Sequence, residues 1–535
     1  MDNNRTIIAV VLVVLLWSGY SLFFSPQAPP PPAASVETVA KDQPTKQEDK
    51  QTKPVENSSS SEILPTISNS NDKELFFSVT SDFYDIKISS IGATIHSIVL
   101  KKYKETNAAD SPPFKLLDSQ GFTLSTLKTA GTDGLYLPAN LNYKVLDNKR
   151  SIEVESENVT VSFAATINDL TIVKNYTFHP STYSFDLDIQ LINNAETVVN
   201  GRLNLFMITP WDKGTKSTMY TFVGPVTFNG KELEEDKPAG LEKSPKIYKK
   251  DIIWSGYMSK YFVSVVNPKQ APEQLFISTG DGFVENRFTT TAVTLAKDQK
   301  TSFLYTAYFG PKQDEFLLSS GHQFEKAIDY GFFQPLSKPL MVVLKFFYRF
   351  IGNYGISIIL LTICIKLIFW PLTQKSYKSM QGMQKLQPEM KKMREKYGKD
   401  KQKLNQEMMS FYKENKVNPL GGCLPMVIQI PVFFALYRVL LGSIELRHAP
   451  FMFWITDLAA KDPYYVTPLI MGVTMFLQQK MTPTNMDPTQ AKIMLMMPVV
   501  FTFMFLNFPA GLVLYWLTNN LLTILQQYLI KRQSV

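Results

Sequence analysis

Cysteine is nearly absent. The 535 residues include two, Cys364 and Cys423, both inside apolar runs. The polar part of the chain, up to about residue 334, has none, which excludes a disulfide framework and a cysteine-based zinc site there. Histidine is almost as scarce. His96, His179, His322 and His448 are scattered without ligand spacing, and each reads as a surface or packing residue. The chain has no Walker loop, no dinucleotide fingerprint and no GxSxG elbow. Together these absences predict a protein that is not an enzyme and that holds no metal or cofactor. Excess charge is missing too, except in one place. The net charge is +8, and residues 373–418 alone carry twelve Lys/Arg against five Asp/Glu, a local excess of +7.

Long apolar runs are plentiful after residue 334, and one of them contains a charge. Residues 351–371 read IGNYGISIILLTICIKLIFWP, about the length that crosses the hydrocarbon core of a bilayer. Lys366 lies within this run, with Thr362 one helical turn before it and Thr373 two turns after. An ionisable residue at membrane depth is expensive and suggests a function. Lys366 also lies only five residues before Pro371. That is about 7.5 Å of helix, which a lysine stem can largely span by snorkelling. From this run alone both readings stay open.

The rest of the chain divides by composition. Residues 1–24 contain an 18-residue apolar run, 7–24, preceded by Arg5. With no small-residue cleavage site directly after it, the run reads as an uncleaved signal anchor. Residues 25–71 are rich in Pro, Ser, Thr, Gln, Lys and Glu, a composition that cannot bury a core and is expected to be a disordered linker. Residues 72–335 alternate apolar and polar positions, as in YSFDLDIQLIN at 183–193, with turn signals at Asn229–Gly230 and Asp281–Gly282. This predicts a large all-β sandwich. Residues 336–350 form a short amphipathic stretch with Lys345 and Arg349, expected to lie along the membrane plane.

Further spans are expected at 351–372, 419–441, 464–481, 492–508 and 511–530. With the N-terminal anchor they make six. The positive-inside rule orients them. The basic segment 373–418, the loop 482–491 and the tail 531–535 fall on one side with Arg5. The N- and C-termini are therefore expected in the cytoplasm, and the β domain and the loop 442–463 on the far side. Segment 373–418 reads as a helical hairpin. Met383, Leu386, Met390, Met393 and Tyr397 make one stripe, Gly398 permits a turn, and Leu404, Met408 and Phe411 begin a second stripe. Of the 21 methionines, 17 lie at or after Met341. Methionine adapts to varied apolar partners, but it also fills helical cores.

Three segments carry a resemblance. KVNPLGGCLPMVIQIPVFFALYRVL (416–440), DPYYVTPLIMGVTMFLQQKM (462–481) and FPAGLVLYWLTNNLLTILQQYLI (508–530) closely resemble the YidC/Oxa/Alb family of membrane protein insertases. The conserved core would cover about residues 336–532, and the anchor and β domain match the family's Gram-negative form. The resemblance implies a polytopic α-helical protein of the bacterial inner membrane, with five core helices around a hydrophilic groove and a large extracytoplasmic β domain. It places the groove's single positive charge at Lys366, where arginine is common. It makes Thr362, Gln429, Trp516 and Asn519 candidates for the polar wall, with Trp516 standing where tyrosine is frequent. Phe433 and Phe505 become candidates for an apolar slide. The implied partners are nascent membrane proteins, lipids and the Sec translocon. The ribosome and the signal recognition particle receptor would be met through Lys391, Lys392, Arg394 and Lys396 of the hairpin, because the long basic tail of some relatives is absent. Two rival readings are a secondary transporter coupled through Lys366, and a membrane-anchored carbohydrate-active domain. The first would be expected to show internal repeats, and none is found. The second needs paired carboxylates.

Overall fold

The strand Ser184–Asn193 sets the pattern of the β-rich region. Phe185, Leu187, Ile189 and Leu191 point into the core, and Asp186, Asp188 and Gln190 point out. The computed structural model describes residues 73–119, 121–146, 149–215, 217, 221–397, 400–415, 424–482 and 488–533. The expected anchor, linker and Gly398 turn, and Cys423, lie outside these residues. Ser184–Asn193 pairs antiparallel with Leu170–Phe178 and Lys300–Pro311 in the middle of a nine-stranded sheet. A six-stranded sheet, which includes Phe283–Thr289, faces it, and Asn286 Nδ2 donates to Ser255 Oγ across the interface at 2.8 Å. A five-stranded sheet at the N-terminal end has one parallel pair, Phe76–Ser81 with Ser151–Val154. Gly230 and Gly282 take positive φ, 88° and 82°, as their turns require.

Lys174 joins two parts of this region. Its ammonium is fully buried and donates to the carbonyls of Gly92, Ala93 and Leu127 at 2.9, 3.1 and 2.8 Å. Burial pushes its pKa from 10.5 down to about 7. The three carbonyls oppose that shift, because only the charged amine fills all of them.

The C-terminal region is helical: α1 (Gln334–Ile351), α2 (Tyr354–Lys385), α3 (Gln387–Tyr397), α4 (Lys401–Glu414), α5 (Leu424–Gly442), α6 (Val466–Met481), α7 (Pro488–Phe505) and α8 (Ala510–Gln533). Gly352 ends α1 in the left-handed region, and the Asn353 side chain caps α2 by accepting from the Ile356 N–H. From the sequence a span is expected to end at residue 372 and a hairpin to begin at 373. Instead α2 runs through Pro371 to Lys385, 32 residues in all. In apolar surroundings a helix keeps its backbone bonds internal, so one missing proline N–H does not end it. The next break falls at Leu386, and Pro388 lies in the first turn of α3, where its missing N–H is harmless. The expected two-helix hairpin is therefore α3 and α4 set on an extension of α2.

Among the described residues, α2 alone is both long and apolar enough to cross a membrane. The apolar parts of α5 and α7, Gln429–Gly442 and Ile493–Phe505, are shorter. Helix α8 spans 24 residues, but Asn519, Asn520, Thr523, Gln526 and Gln527 lower its hydropathy.

The loop between α5 and α6 bridges the two regions. Glu445 pairs with Lys345 of α1 at 2.7 Å. Two residues on, Arg447 donates to the carbonyls of Lys104 and Glu105 at 2.7 and 3.1 Å and lies over the rings of Phe114 and Phe262. The same loop satisfies the N–H groups that the first turn of α8 leaves without a helical partner: Ala510 donates to Ala460 O and Gly511 to Leu458 O, at 2.7 and 2.9 Å.

Candidate functional site

Three helices meet around Lys366. Helix α2 supplies Ile365, Lys366 and Thr373, α5 supplies Gln429 and Val432, and α8 supplies Asn519. They line a recess of about 380 Å³, open space included. The Lys366 ammonium donates to Thr523 Oγ1 of α8 at 2.7 Å. Among the described residues, no carboxylate pairs with it. Gln429 Nε2 donates to Asn519 Oδ1 at 2.9 Å, tying α5 to α8 beside the lysine. The recess thus joins one fixed positive charge to amide and hydroxyl groups, with apolar walls from Ile365 and Val432.

Beside the recess, α5, α7 and α8 build an aromatic cluster. The Trp516 ring meets Phe433 edge-on at 4.8 Å, with Phe505 at 5.1 Å and Phe501 at 6.1 Å. The three aromatic candidates from the sequence, Phe433, Phe505 and Trp516, therefore form one cluster. Trp516 belongs to that cluster and does not line the recess. Lys366, Gln429 and Asn519 form the polar cluster. Thr362 joins neither. It is buried, and its hydroxyl donates back to the Ile358 carbonyl at 2.7 Å.

The sequence reading missed Thr523. Its signal was present, because Trp516, Asn519 and Thr523 step by three and four along α8 and share a face. Leu517, Leu521 and Leu522 between these positions make the stretch read as an apolar span. Lys391, Lys392, Arg394 and Lys396 are all exposed on α3. Lys392 and Lys396 border a groove floored by Met393, Tyr397 and, from α4, Phe411.

Two family descriptions match this chain: "YidC periplasmic domain" over residues 77–343 and "60Kd inner membrane protein" over residues 346–535. The membrane protein insertase YidC of Geotalea uraniireducens is 43% identical over 99% of both chains. That of Citrifermentans bemidjiense is 45% identical over 85% of both. A solved structure described as an active YidC insertase with its first transmembrane domain resolved is 17% identical. It covers 86% of this chain and 92% of its own, at a TM-score of 0.37. The sequence relatives run nearly end to end along both the β-rich and the helical regions, and on that ground the chain belongs to the YidC family of membrane protein insertases.

Proposed function

We propose that this protein inserts membrane proteins by offering the Lys366 recess as a partly hydrated way-station for their polar flanks. The observation that carries this reading is a lysine between three apolar helices whose only hydrogen-bond partner among the described residues is a hydroxyl. An apolar core charges each unpaired polar group several kcal/mol for passage. A recess part-way across shortens that barrier, and a fixed cation attracts acidic residues in the translocating tail. The neighbouring apolar side chains, half-buried Phe433 among them, let the hydrophobic segment pass on into lipid, and Phe505, buried in the helical core, backs them. No covalent step is required, and partitioning and the membrane potential drive the process.

The finer topology belongs to the same reading. Six spans cross the inner membrane, with both termini and the α3–α4 hairpin in the cytoplasm. The β-rich region is a sandwich facing the periplasm. The hairpin's lysines suit ribosomal RNA or acidic targeting factors through counterion release, and its methionine and aromatic groove suits an emerging apolar segment. The Sec translocon, the ribosome and the signal recognition particle receptor are the partners this predicts.

Lys366→Ala should slow insertion of a single-span substrate with an acidic tail by at least about tenfold, because a charge-assisted bond contributes roughly 1.5–3 kcal/mol. Lys366→Arg should retain most of the rate. Equal rates for the Ala variant and the parent protein would reduce Lys366 to a snorkelling residue.

A further inference from the structure

Thr523 makes two bonds that fix its role. Its hydroxyl donates to the Asn519 carbonyl, one turn back along α8, at 2.7 Å. With its proton committed there, only lone pairs remain, and these accept the Lys366 ammonium at 2.7 Å. An ammonium has three donors, so two are left for a ligand. Beside it, the Gln429 bond occupies the Asn519 side-chain oxygen at 2.9 Å. The Asn519 amide N–H groups have no partner among the described residues and remain for the recess. The donors that remain beside the recess are those of the Lys366 ammonium and the Asn519 amide, since the Thr523 proton is already committed.

We infer that Thr523 is a positioning residue for insertion: it orients Lys366 so that, with Asn519, the recess presents converging donors that select a carboxylate in the translocating segment. The inference rests on the recess reading above and narrows it. Without Thr523 the lysine keeps its charge, but its long stem is free to swing along α2 toward the membrane surface. Selectivity for acidic segments then falls even though the cation remains.

The test compares insertion rates of two single-span substrates that differ only in tail residues, Asp in one and Asn in the other, using the full-length protein in proteoliposomes. Thr523→Val removes the acceptor at nearly constant shape. It should lower the acidic-to-neutral rate ratio by roughly three- to tenfold, the range expected for one interhelical hydrogen bond in a membrane. Thr523→Ser should restore the ratio. A purely structural role would slow both substrates in parallel, and that outcome overturns the inference, as does an unchanged ratio. Lys366→Ala, measured alongside, separates the two claims. If it lowers the ratio while Thr523→Val does not, the positioning role fails and the recess reading stands. If Lys366→Ala itself leaves the ratio unchanged, both fail.

Discussion

The β-rich region and the helical region obey one burial rule with opposite surfaces. In the first, apolar side chains such as Leu187 and Ile189 are inside and Asp186 and Asp188 outside. In the second, Ile368 on α2 and Phe503 on α7 are among the most exposed residues, at 72% and 69%, while Asn520 and Gln527 of α8 are buried. Backbone groups pair internally in both. What differs is the solvent each surface meets: water rewards a polar exterior, whereas lipid rewards an apolar one and leaves polar groups to bond between helices. A functional charge stands out only against the second background. Lysines are ordinary on the β-rich surface, but Lys366 lies among apolar helices.

Exchanging the surfaces should break this comparison most clearly. Ile368→Asp should cost about 3 kcal/mol of membrane integration and leave little protein in the membrane fraction. Leu318→Asp, at a position 59% exposed in the β-rich region, should change stability by no more than about 0.5 kcal/mol. Similar losses from the two substitutions would mean that the exposed face of α2 does not meet lipid.

The buried lysine of the β-rich region sharpens the contrast, since Lys174 is tied by three carbonyls and Lys366 by one hydroxyl. Lys174→Met should destabilise the β-rich region by about 2 kcal/mol, because three buried carbonyls lose their donor. The effect depends on pH. The folded pKa, about 7, lies below the ordinary 10.5. Between these values the unfolded chain holds a proton that the folded chain has released, so stability should rise with pH across that window. Pulse proteolysis in urea at pH 7 and pH 9 should show the rise in the parent protein and its loss in the variant. A slope that survives Lys174→Met would assign it to other groups.

A smaller effect is expected where the regions meet. Arg447→Ala removes two hydrogen bonds and the ring contacts to the β-rich region, worth about 1 kcal/mol at a partly exposed site. Hydrogen exchange should then quicken around Lys104 and Glu105 while the strands Ser184–Asn193 and Lys300–Pro311 stay protected. Unaltered exchange at Lys104 would show that Arg447 does not hold the two regions together.

Much of the β-rich region was legible because strand alternation and turn glycines are local signals. Lys366, Gln429 and Asn519 could be placed at one site through the family resemblance, since they come from three helices far apart in sequence. The course of α2 was not legible. Pro371 and Pro388 give the same local warning, yet one is absorbed within a helix and the other opens a new one, a choice made by the surroundings. Thr362 sits one turn from the lysine, but it is buried and does not line the recess. Thr523 needed the fold, because only the packing of α8 against α2 gives it a lysine to hold.

On the proposed route the translocating tail passes Lys366 while the hydrophobic segment passes the aromatic cluster. The direct test is a stalled nascent chain carrying a photo-crosslinker walked one residue at a time from its acidic tail into its apolar segment. Tail positions should crosslink to α2 between Ile365 and Thr373, and apolar positions should crosslink near Phe433 and Phe505. Crosslinks confined to the α3–α4 hairpin or to the β-rich region, with none in the recess at any position, would contradict it.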